Sequence, residues 1–96
     1  MDRKEREQQI LTAALDIAKT TGYTRVTREQ IAAKVGITPA VITNCFGTTV
    51  ALRRDIMRAA VRHKVLPVIA QGLALRDRHA LNAPEDLRRE AAHSLV

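Results

Sequence analysis

Ninety-six residues with a net charge of +6, 27% charged and 46% apolar side chains fit one small globular domain, not a disordered or multidomain chain. No apolar run is long enough to cross a membrane, and the charged opening MDRKEREQQ is no secretory signal. A lone cysteine, Cys45, excludes an internal disulfide, so a cytoplasmic protein is expected.

The composition predicts an all-α fold, because Ala, Leu, Ile and Arg abound while glycine and proline number only four and three. Residues 1–21 read as a first helix, with Ile10, Ala14, Ile17 and Ala18 on one stripe and Leu11 and Leu15 beside it. Its front carries Arg3, Lys4 and Arg6 among acids, either as a basic arm for DNA or as a solvated helix end. Gly22 reads as the helix stop, with Tyr23 folding back onto it. Val26 and Ile31 sit where a hydrophobic staple forms around the next helix start.

Thr27–Phe46 is the stretch that suggests a function. Thr27 and Gln30 form a T-x-x-Q capping box, Ile31, Ala32 and Val35 follow at helical spacing, and Gly36 supplies a left-handed stop. Thr38-Pro39 restarts the chain as a cap followed by proline in the first turn. Val41, Ile42 and Phe46 then turn inward, leaving Thr38, Pro39, Ala40, Thr43 and Asn44 outward. Helix, glycine turn and helix is the plan of a helix-turn-helix DNA reader.

A fourth helix is expected from Thr48 or Thr49, burying Leu52, Ile56, Ala60 and Val61, with Val50 and Met57 widening the face. Arg53, Arg54, Arg58 and Arg62 stand against a single acid, Asp55, and suit phosphates near the helix start or acids on a partner subunit farther along. Pro67 predicts a break around Val65-Leu66. The apolar run VLPVIAQGLAL then offers Leu66, Val68, Ile69 and Leu73 as a subunit interface, with internal core as the alternative. RDRHALNA reads as a polar connector. A last helix follows Pro84, with Leu87, Ala91 and Leu95 on one face, and Leu87 and Leu95 join the candidate interface.

Charge sharpens this division. Residues 1–64 hold 12 Lys/Arg against 6 Asp/Glu and residues 65–96 hold 4 against 4, so the whole excess lies with the helix-turn-helix. A phosphate backbone is the natural partner of such a half. We therefore divide the chain into a DNA-binding part, 1–64, and a helical dimerisation extension, 65–96.

These residues together resemble the DNA-binding domain of the tetracycline-repressor family. The resemblance covers roughly residues 8–56 and rests on ILTAALDIA, Gly22-Tyr23, Thr27, Ile31-Ala32, Val35-Gly36-Ile37-Thr38, Phe46 and Ala51-Leu52. It implies a homodimer binding a palindromic operator in double-stranded DNA, usually as a repressor and often of its own operon. It also implies phosphate contacts from Thr27 and Thr38, with Pro39, Ala40, Thr43 and Asn44 in the major groove. Arg28, Thr48, Thr49 and Arg53 complete the expected DNA-binding set. Three departures stand out: small side chains where the family favours tyrosine (Thr43 and Cys45), Thr49 where it favours lysine, and only about 30 residues after the fourth helix.

A ligand pocket needs roughly 300 Å3 or more. So short an extension leaves no room for that beside a dimer contact, and no small-molecule inducer is expected. The expectation is a compact repressor of plasmid or phage type, bound to the nucleoid when on DNA. The missing backbone grips motivate an alternative, a helical protein-interaction module that keeps the shape without binding DNA. His63, His79 and His93 have no metal-ligand spacing, and no catalytic motif occurs, so neither cofactor, metal nor enzymatic activity is expected.

Overall fold

The computed structural model describes residues 2–94, and the regular structure among them is entirely helical. Helix α1 spans Arg3–Thr21 and begins on Asp2, whose carboxylate accepts from the Glu5 N–H at 2.8 Å. Ile10, Ala13, Ala14, Leu15 and Ala18 are its buried face. Three alanines in that face let α2, α3 and α4 pack close to it. After Gly22 a 3-10 turn, Tyr23–Arg25, buries the Tyr23 ring, and the staple pair Val26 and Ile31 is buried as well.

Helices α2 (Arg28–Val35) and α3 (Pro39–Phe46) form the helix-turn-helix. Both halves of the capping box are made: the Gln30 N–H donates to the Thr27 hydroxyl at 3.2 Å, and the Thr27 N–H donates to the Gln30 side-chain oxygen at 3.0 Å. Gly36 adopts φ 83° and ψ 37°, and the N–H groups of Gly36 and Ile37 both reach the Ala32 carbonyl, at 2.8 and 3.1 Å. A side chain here would meet no neighbour, so it is the backbone conformation that demands glycine. Thr38 stands at the start of α3 as expected, yet its side chain makes no capping bond there. Proline in the first turn supplies the helical φ without it.

Helix α4 (Thr49–Arg62) is capped by Thr48, whose hydroxyl accepts from the Ala51 N–H at 3.1 Å. Leu52, Ile56, Met57, Ala59 and Ala60 are buried and Val61 partly so. Val50 does not widen this face; it stands 76% exposed. The chain turns at Lys64, whose φ is 57°, with the Val65 N–H donating to the Ala60 carbonyl at 2.9 Å. Pro67 therefore opens the next helix, α5 (Leu66–Ala74), and the break precedes it.

Three residues of the expected subunit interface, Val68, Ile69 and Leu87, are corrected here. Val68 and Ile69 are fully buried and Leu87 is 6% exposed, because α5 is covered by α1, α4, α6 and α7 of its own chain. Leu66 and Leu73 are half-buried against that core, and Leu95 lies outside the described residues. Gly72 allows the close approach: a Cβ there would come within 2.6 Å of the Met57 methyl and 2.7 Å of the Ala80 Cβ.

The polar connector is also corrected. It contains a short helix, α6 (Arg78–Leu81), whose cap Asp77 accepts from the N–H groups of His79 and Ala80 at 2.8 and 3.3 Å. Helix α7 (Glu85–His93) closes the fold, with Glu85 and Asp86 in its first turn, where the helix dipole favours acids. One continuous cluster of buried side chains runs from Ile10 to Ala91, so residues 65–94 share the core of residues 2–64. No polar or charged residue is buried among the described residues. The radius of gyration is 13.0 Å, close to that of a densely packed chain of this length.

Candidate nucleic-acid interface

Ile42 and Phe46 anchor α3 in the core. At 100° per residue, Pro39, Ala40, Thr43 and Asn44 fall within about 140° of arc that begins beside Phe46 and turns away from it, and all four are exposed, as is Thr38. The Thr43 hydroxyl donates back to the Pro39 carbonyl at a long 3.4 Å. The Asn44 amide bonds to nothing among the described residues, and the helix end it could have capped is closed instead by the Gly47 N–H on the Thr43 carbonyl at 2.8 Å. An amide with a donor and an acceptor turned to solvent suits the edge of adenine in the major groove.

Beside α3 the starts of α2 and α4 converge. Arg28 donates to the Gly47 carbonyl at 2.8 Å and to the Thr49 hydroxyl at 3.0 Å, tying α2 to the turn between α3 and α4. Thr27, Arg28, Thr49 and Arg53 thereby line one pocket of about 200 Å3, with Glu29 as its one acid. Thr27 and Thr48 use their hydroxyl oxygens as capping acceptors, so each keeps an O–H proton to donate to an anion. Two helix starts with their uncapped N–H groups add partial positive charge at this place. Arg28 contributes less than the sequence suggests. Two of its five N–H donors are spent on the protein and its Nε is buried without a partner, so two remain.

The other cations divide sharply. Arg54 is held by Asp55 at 3.1 Å, which raises its already high pKa, and Arg58 lies 3.9 Å from the same carboxylate. Arg3 pairs with Glu7 at 3.1 Å, which partly neutralises the front of α1, while Arg6 donates to the uncharged Gln9 amide oxygen at 3.3 Å. Lys34 joins α2 to α1 through Asp16 at 3.0 Å, and that contact holds the Asp16 carboxyl below its ordinary pKa. Arg53 is half-buried and has no carboxylate partner among the described residues. It is the arginine of α4 best placed beside Thr27 and Thr49.

One group of residues escaped the sequence reading. The Tyr23 N–H donates to the Gln71 side-chain oxygen at 2.9 Å, the Gln71 amide donates to the Ala18 carbonyl at 2.8 Å, and the Tyr23 hydroxyl donates to Asp77 at 2.9 Å. Burial, then the Asp77 carboxylate, push the Tyr23 pKa up to about 12. This network fastens α5 and α6 to the end of α1. Asp77 ahead of RHAL carried a readable capping signal; Gln71, a polar residue in an apolar run, carried none that named its partners.

No group of three or more metal-ligating side chains occurs among the described residues, and no described helix is long and apolar enough to span a membrane. Cys45 is half-buried against the core. No protein-family model, curated protein or solved structure matches the chain.

Proposed function

We propose that this protein is a sequence-specific DNA-binding regulator of tetracycline-repressor type, acting as a homodimeric repressor on an inverted-repeat operator. The observation that carries the reading is the exposed α3 face, with the unengaged Asn44 amide, set on buried Ile42 and Phe46 beside two converging helix starts. Asn44 and Thr43 would read base edges, while Thr27, Thr38, Thr48, Thr49, Arg53 and the remaining donors of Arg28 would hold phosphates and fix the register. With no arginine in α3, sequence-dependent DNA shape would carry part of the selectivity. Two copies would place their α3 helices in successive major grooves, about 34 Å apart. Because Val68, Ile69 and Leu87 are internal, the copies would have to meet through other surface, to which exposed Leu75 and half-buried Leu66 and Leu73 contribute.

The inward bonds of Arg28 favour the second reading, a helical protein-interaction module without DNA binding. Reversing the charge of Arg53 and Arg54 separates the two. A DNA binder weakens on every duplex and loses salt dependence, whereas an interaction module keeps its function.

A further inference from the structure

A second cationic groove adjoins the helix starts. It has a volume of about 390 Å3 and lies between the Tyr23–Arg25 turn, the first turns of α4 and helix α6. Arg53, Arg54, Arg78 and His79 line it, with one carboxylate, Asp77. Both Asp77 oxygens are occupied, one by the Tyr23 hydroxyl and the other by the N–H groups of His79 and Ala80. Arg54 is occupied by Asp55. Arg53 and Arg78 are thus left without a carboxylate partner among the described residues, and the three arginines exceed Asp77 and the adjoining Asp55 by one charge. Arg53 also lines the pocket formed by Thr27, Arg28, Glu29 and Thr49, so the groove adjoins the helix starts through this one arginine.

We infer that α6 belongs to the DNA-contacting surface, with Arg78, beside Arg53, holding a backbone phosphate that flanks the bases met by α3. The inference rests on the DNA-binding reading and extends it to the C-terminal helices, which the sequence reserved for dimerisation. Arg53, shared with the pocket at the helix starts, favours duplex backbone over an acidic protein as the occupant. Neutralising one further phosphate releases counterions, so the contact has a measurable signature in the salt dependence of binding.

The test compares the wild-type protein with Arg78→Ala and Arg78→Lys on long, flank-trimmed and random duplexes across a salt series. Arg78 is exposed, and circular dichroism checks that the variants keep the fold. Arg78→Ala is expected to flatten the slope of log affinity against log salt by about 1, and to weaken specific and random long duplexes by the same factor. Arg78→Lys keeps the slope, and trimming the flanks erases the difference between wild type and Arg78→Ala. An unchanged slope in Arg78→Ala overturns the role of α6 and leaves the DNA-binding reading standing. If the wild-type protein shows no salt-dependent binding to any duplex, both fall together.

Discussion

At Asn44 the backbone belongs to α3, while the side-chain amide belongs to no hydrogen bond among the described residues. Replacing it with alanine should leave circular dichroism and the melting temperature unchanged, since nothing in the protein loses a partner. On DNA it should cost about 1–3 kcal/mol of discrimination between specific and random duplexes, read by competition gel shift. Tyr23 offers the reverse case, a residue whose importance is internal. It is the only tyrosine and there is no tryptophan, so ultraviolet titration reports it alone. Its folded pKa, about 12, lies above the ordinary value of 10.0, so the folded state holds the proton more tightly. That stabilisation is complete below pH 10 and is lost as pH climbs from there through about 12. Asp77→Asn should lower the titration midpoint only in part, because burial is the larger cause. The exposure of Asn44 was legible from helical spacing. The partners of Tyr23 were not, because they lie 48 and 54 residues away and no local pattern encodes them.

Helix ends show what a sequence announces and what it hides. The capping box at Thr27 and the glycine stop at Gly36 were legible because each uses the residue type that its geometry prefers. Thr27→Ala should lose about 1 kcal/mol in denaturant unfolding. Two other ends use the same 6→1 hydrogen bond with ordinary residues in the left-handed position: Lys64, with Val65 N–H on Ala60, and Arg76, with Asp77 N–H on Gly72. Neither residue type advertises that backbone, which is why the α4 stop was placed slightly late and α6 was missed. Lys64→Gly should raise stability by up to about 1 kcal/mol, since the cost of the left-handed conformation outweighs the added freedom of the unfolded chain. Gly72 behaves oppositely. Gly72→Ala should destabilise by about 1–3 kcal/mol despite better helix propensity, because the new methyl would press on Ala80, whose Cβ is fixed by its backbone.

For the molecule as a whole, the pattern of apolar residues was enough to announce an all-helical fold with a helix-turn-helix near its front. It could not say whether the apolar run after α4 is covered by the same chain or by another copy, because both fates demand the same residues. Tertiary packing decides it: α7 folds over α5, and Val68, Ile69 and Leu87 end in the core. Charge divided at residue 64 could not show that Arg78, from the neutral half, lines the same groove as Arg53. The central claim, sequence-specific reading by a paired α3, is tested most directly by selecting duplexes from a random-sequence pool with the purified protein at physiological salt. The selected duplex is then titrated against a scrambled one. The expected result is enrichment of an inverted repeat with half-site centres about 10 base pairs apart, bound at least about a thousandfold more tightly than the scrambled duplex. A pool that yields no shared motif, with selected and scrambled duplexes bound equally, would contradict it.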